Sequence, residues 1–101
     1  MTRDEVLALK GRRLEKAVSE HIFGMKLLTM HTVSDIETAW VLVNTMRERG
    51  FRFVLRETLR GDWRATFFDK KYRTAMSTHH NELVAISRAA LLAALDLWEG
   101  R

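Results

Sequence analysis

Apolar residues in the first quarter of the chain recur at the three- and four-residue spacing of amphipathic helices. Thr2 and Glu5 have the spacing of a capping box, in which each side chain bonds the backbone amide of the other residue, so a helix is expected to begin there. Gly11 interrupts the pattern, because glycine inside a helix costs about 1 kcal/mol relative to alanine. We therefore predict a short helix that ends near residue 9 and a second over residues 11–23, stopped by Gly24.

A second capping-box pattern, Ser34 to Glu37, predicts the start of the next helix, which keeps one apolar face for three turns and ends at Gly50. We expect Trp40 to lie on that face and to be largely buried between the helix and a sheet. Residues 25–33 show no period, which predicts a loop, or a loop with one short strand.

Alternating polar and apolar residues predict two strands, 51–57 and 62–68, joined by a tight turn at Gly61. After a turn at residues 69–71, a third antiparallel strand is expected over 72–76. The alternation places Arg52, Arg56 and Arg64 together on one face of this sheet.

The last predicted helix begins near Ser77 or Thr78, runs to about Trp98, and is apolar almost all round, which indicates burial on more than one side. A small sheet can cover only one side, so the other side meets either a neighbouring helix of the same chain or a second subunit. Under the second alternative the protein is a homo-oligomer. The predicted interface residues are Leu91, Leu92, Leu95 and Trp98.

The order of these elements predicts an α+β fold in a single domain, residues 1–101. We expect an α-β-α layered sandwich with a small antiparallel sheet of two to four strands, including a β-hairpin, flanked by three main helices. The chain contains no cysteine, so disulfides and thiolate metal sites are excluded.

Several segments resemble the phage ABA-sandwich domain family, a group of small phage and prophage proteins. They are Ser34–Trp40, Arg49–Phe51, Trp63–Ala65 and Ala85–Ala93, together with Leu7–Leu14 and Ile22–Met25 near the start. The resemblance covers nearly the whole chain and is most specific in the final helix. It implies an α-β-α layered fold and a phage or prophage origin. The family has no established activity that could be transferred to this chain.

Basic residues are concentrated in the middle of the chain, although the net charge is only +4. Residues 47–73 contain nine lysines and arginines and four acids, whereas the rest of the chain carries a net charge of −1. Such a segment favours anionic partners, and the alternative is a solvated sheet face. The candidate residues for binding an anion or a partner are Arg52, Arg56, Arg64, Lys70 and Arg73.

Catalytic motifs are lacking, so we do not expect an enzyme or a cofactor. His79 and Glu82 would share a helical face, but four dispersed histidines without cysteine are better interpreted as surface or helix-cap residues than as a metal site. The chain has no signal-peptide pattern and no apolar run approaching the ~20 residues of a membrane span, so a cytoplasmic protein of the host cell is expected.

Two functions are favoured on the sequence alone, and a structural or assembly role is the third alternative. The first is a non-enzymatic binding protein that captures a host protein or a phosphate-bearing small ligand, for host takeover or defence evasion. The second is a nucleic-acid-binding accessory protein that uses the basic hairpin, with Trp63 or Phe68 stacking on bases.

Overall fold

The computed structural model of the protein describes residues 1–24 and 36–99, with side chains from residue 39 onward in the second range. The predicted loop over 25–33 lies outside the described residues. The side chains of the predicted capping box at Ser34–Glu37 also lie outside them.

Two short helices open the chain, as predicted. Helix α1 spans Arg3–Ala8 and begins with the capping box of Thr2 and Glu5, in which both reciprocal hydrogen bonds are present. Helix α2 spans Gly11–Val18 and continues as a π-helical turn over Ser19–Phe23. Gly24 ends that turn in the left-handed conformation, with φ of 67°.

Helix α3 spans Ile36–Glu48, and Gly50 follows it with φ of 97°. The buried face of α3 consists of Ala39, Leu42, Val43 and Met46. Trp40, which the sequence pattern placed on this face, is 50% exposed. The predicted burial of Trp40 is therefore wrong. Ala39, Leu42, Val43 and Met46 already form a complete stripe at helical spacing, and Trp40 lies about 100° around the helix from Ala39.

Three strands form one antiparallel sheet in the order β1-β2-β3: β1 is Arg52–Glu57, β2 is Trp63–Phe68 and β3 is Thr74–His79. Phe53 pairs with Phe67, which pairs with Ala75, and this row faces the core. The third strand starts and ends later than predicted. A turn closed by hydrogen bonds to Asp69 occupies the residues up to Arg73, so pairing begins only at Thr74.

Helix α4 spans Glu82–Ala94 and is shorter at both ends than predicted. Ser77 and Thr78 belong to β3, and the N-cap is Asn81, whose side-chain oxygen accepts hydrogen bonds from the amides of Leu83 and Val84. At the other end, Asp96 has φ of 60°, which turns the chain away from the helix axis.

Helix α4 occupies the centre of the fold. It packs on β2 and β3, and α1, α2 and α3 also contact it. Arg88 on α4 donates from its Nε to the backbone oxygen of Leu9 at 2.9 Å, just beyond α1. The apolar surface of α4 is thus covered on the side of the sheet and on the side of the N-terminal helices.

This packing corrects the predicted oligomer interface. Leu91 and Leu92 are 0% exposed and Trp98 is 5% exposed within a single chain, while Leu95 is partly buried. The neighbouring helix of the same chain, one of the two alternatives, provides the cover. A homo-oligomer stays a prediction, and it would have to use a different surface.

The predicted fold class is confirmed: the protein is a small α+β sandwich with a three-stranded antiparallel sheet and several helices. Within residues 1–24 and 36–99, no helix has the length and apolar character needed to cross a bilayer.

Candidate functional site

The sheet face opposite the Phe53–Phe67–Ala75 row is the candidate site, and we call it the outer face. The strand register arranges it in three rows. These rows are Arg52–Phe68–Thr74, Val54–Thr66–Met76 and Arg56–Arg64–Thr78. Basic residues therefore lie in the first and third rows, and the middle row is uncharged.

Arg56 and Arg64 are directly opposed across β1 and β2, and both side chains are exposed. Arg64 donates from its Nε to the hydroxyl of Thr78 at 3.3 Å, which directs its guanidinium along the third row. Within the part of the chain that the structure describes, no acid forms a salt bridge with either arginine. Two like charges thus face each other, and neither has a salt-bridge partner among the described residues.

These arginines line an open cleft of about 700 Å³ at the β1–β2 turn, which we call the arginine cleft. Arg60 extends it, and the acids Glu57 and Asp62 lie at its margin. Thr58 shapes the turn, because its hydroxyl accepts hydrogen bonds from the amides of Arg60 and Asp62 at 3.3 and 3.1 Å.

A second cleft, of about 490 Å³, lies at the opposite end of the outer face, and we call it the tyrosine cleft. Its lining combines the cations Arg52 and Lys70 with the aromatic rings of Phe68 and Tyr72, and it also includes Asp69. No described acid forms a salt bridge with Arg52 or Lys70. This cleft therefore offers both a positive charge and flat apolar surfaces.

Tyr72 is the most unusual residue of the tyrosine cleft. Its φ is 62°, a left-handed conformation that bulky residues rarely adopt, and its side chain is 80% exposed. The Asp69 carboxylate holds this turn by accepting hydrogen bonds from the amides of Lys71 and Arg73 at 3.0 and 2.8 Å. Burial raises the pKa of Asp69, but the hydrogen bonds from Arg73 and Lys71 outweigh it, so its pKa lies below the ordinary value.

Arg73, the fifth predicted site residue, is engaged elsewhere. Its Nε lies 2.6 Å from Asp69 and its Nη1 lies 3.4 Å from Asp96. The guanidinium also lies over the Trp98 ring, 4.8 Å from the centroid. Arg73 thus links the β2–β3 turn to the segment after α4, and its charge is compensated.

The structure therefore divides the predicted set into three groups. Arg56 and Arg64 lie together, Arg52 and Lys70 lie together at the other end of the outer face, and Arg73 lies in a third cleft that Lys70 also lines. Sequence reasoning did not select Arg60 or Tyr72. Arg60 follows from its position in the hairpin turn, but Tyr72 was assigned to the third strand, and nothing in the residue itself signals a left-handed conformation.

The histidines do not assemble a metal site in the described part of the chain, where no group of three histidine, aspartate or glutamate side chains is close enough to hold an ion. His79 and His80 stack with their ring centroids 4.1 Å apart. The Nδ1 of His79 accepts a hydrogen bond from the amide of Asn81 at 2.9 Å. Burial lowers the pKa of His79, and the neighbouring His80 and Arg88 lower it further.

Comparison with known proteins provides no further assignment, because no family model, no curated protein and no solved structure matches this chain.

Proposed function

We propose that this protein is a non-enzymatic binding protein, encoded by a phage or prophage, that captures an anionic partner on the outer face of its sheet. The partner is a phosphate-bearing ligand or an acidic surface of a host protein. The phage origin follows from the sequence resemblance, and the choice of an anionic partner follows from the outer face.

The observation that carries the proposal is the opposed pair Arg56 and Arg64. Like charges directly opposite each other across two strands destabilise a sheet, by up to about 1 kcal/mol. A solvated surface has no need of this arrangement, because an acid at either position would make the same hairpin more stable. A bound anion offsets the repulsion, and the planar guanidinium fork suits bidentate contacts with phosphate or carboxylate.

A charge-reversal experiment tests the proposal. Inorganic polyphosphate and a polyaspartate peptide serve as anionic probes, and binding is measured by calorimetry at low salt. The variant Arg56→Glu/Arg64→Glu is expected to bind both probes at least about tenfold more weakly, since two charge-assisted contacts are lost.

The matched control is Arg12→Glu/Arg13→Glu, which makes the same change in net charge at two exposed positions on α2. It is expected to retain nearly all of the affinity. Equal losses in the two variants would mean that net charge alone attracts the probes, and the outer face would then have no special role.

A further inference from the structure

The two clefts of the outer face together require more of a ligand than negative charge. The arginine cleft offers cations to an anion but has no aromatic ring in its lining, whereas the tyrosine cleft places an aromatic ring beside Arg52 and Lys70. A ligand that uses both clefts carries anionic groups along its length and at least one flat ring.

We infer that the outer face binds single-stranded nucleic acid, with a base stacked on Tyr72 and phosphates held by Arg52 and Lys70 at one end and by Arg56 and Arg64 at the other. This inference rests on the proposed function and specifies the partner. Stacking on aromatic side chains within a positively charged groove is the general means by which proteins hold single strands.

The conformation of Tyr72 supports a role in binding. A tyrosine in the left-handed region is strained, and glycine or asparagine would relieve the strain in the same turn. The exposed ring gains little from burial within this chain, as 80% of the residue is accessible to solvent. The strained turn presents the ring beside the outer face, where a base can stack on it.

The distance between the clefts favours a strand over a mononucleotide. The first and third rows are four residues apart along β1, which is about 13 Å at the usual rise of a strand. Stacked nucleotides advance about 3.4 Å each along one strand, so this distance corresponds to about four of them. The uncharged row of Val54, Thr66 and Met76 lies between the two cationic ends.

The experiment uses the full chain and a labelled single-stranded DNA of twelve mixed nucleotides, with binding followed by fluorescence anisotropy. Inorganic polyphosphate, the polyaspartate peptide and adenosine monophosphate are measured in parallel. With about four phosphate contacts, the logarithm of the DNA affinity is expected to fall with the logarithm of the salt concentration at a slope of about −3.

Tyr72→Asn removes the ring but keeps a residue that tolerates the left-handed conformation. It is expected to weaken DNA binding by about 5- to 150-fold, the range for one lost stacking contact, without changing polyphosphate binding. Tyr72→Phe retains the ring and is expected to bind DNA like the unmodified protein. Trp40→Asn is the matched control, since Trp40 is a half-exposed aromatic residue on α3 that lines neither cleft, and it is expected to leave DNA binding unchanged.

Four outcomes would overturn the inference. If Tyr72→Asn binds DNA as well as the unmodified protein does, no base stacks there. If polyaspartate binds more tightly than DNA, the partner is an acidic protein. If adenosine monophosphate binds as tightly as the twelve-nucleotide strand, no strand spans the clefts. In these three cases the proposed anion-binding function survives. If no anion binds at all, the proposed function fails as well.

Discussion

Replacing Arg56 with glutamate should stabilise the protein, although the change removes a cation from the proposed binding site. Arg56 and Arg64 are paired across the hairpin and are both exposed, so Arg56→Glu converts a repulsive pair into an attractive one. The change leaves the hydrogen bond from Arg64 to Thr78 in place, which the reverse choice, Arg64→Glu, would remove.

The expected magnitude follows from simple electrostatics. Opposed Cβ atoms lie about 5 Å apart and long side chains diverge, so we take about 7 Å between the charged groups. In water this separation gives about 0.6 kcal/mol, and screening at 0.15 M salt reduces it to about 0.25 kcal/mol. Reversing the sign doubles the effect. The free energy of unfolding should rise by about 0.5 kcal/mol at 0.15 M salt and by about 1 kcal/mol at 0.01 M.

A double-mutant cycle isolates the pair from the other consequences of the substitution. Urea unfolding is measured for the unmodified protein, Arg56→Glu, Arg64→Gln and the double variant at the two salt concentrations. The stabilisation by Arg56→Glu should disappear when Arg64→Gln is also present. A coupling energy near zero at 0.01 M salt would show that the two charges do not interact, and the electrostatic argument for a bound anion would lose its basis.

Three further outcomes are expected from chemical unfolding. Phe67→Ala should lower the free energy of unfolding by about 3–5 kcal/mol because Phe67 is fully buried. Trp40→Ala should lower it by only about 1–2 kcal/mol because Trp40 is half exposed. Equal losses in the two variants would contradict the observed buried face of α3. Ser77→Ala should raise the free energy of unfolding by about 1 kcal/mol, since the buried Ser77 hydroxyl has no hydrogen-bond partner among the described residues. A decrease would indicate that the hydroxyl has an unrecognised partner. The pKa of His79 lies below its ordinary value of 6.5, so the unfolded chain binds a proton at higher pH than the folded chain does. The stability that neutral His79 contributes should therefore be complete above about pH 6.5. It should decline as the pH falls from there towards the pKa of the folded state. The loss of unfolding free energy between pH 7.5 and about pH 5.5 should be smaller in His79→Asn than in the unmodified protein. The asparagine keeps an acceptor for the amide of Asn81. An equal loss in the two proteins would mean that other groups cause the pH dependence.

The local signals in the sequence were sufficient for most elements. The capping box at Thr2, the helix-ending Gly50 and the hairpin turn at Gly61 are set by short-range backbone chemistry, and the structure confirms each of them. The alternation of β1 likewise placed Arg52 and Arg56 on the exposed face, because side chains of a strand alternate regardless of what covers them.

The errors occurred where tertiary contacts or turn geometry decide the outcome. Ser77 and Thr78 have the composition of a helix cap, yet pairing with β2 extends β3 through both residues. Helical spacing leaves more than one possible buried stripe on α3, and only the packing of α3 on β1 and α4 selects the one that excludes Trp40. For the candidate site, the sequence indicated the cations but not their division into two clefts.

The central position of α4 determines the order in which the fold can be completed during synthesis. Helix α4 follows the other helices and all three strands in the chain, yet it contacts α1, α2, α3, β2 and β3. The contact of Arg88 with Leu9 joins residues that are 79 positions apart. On the ribosome, the hairpin can form locally, but α1, α2 and α3 gain their contacts with α4 only after that helix has emerged. Until then the nascent chain exposes the surfaces that α4 covers in the folded protein, and chaperone binding or aggregation competes with folding.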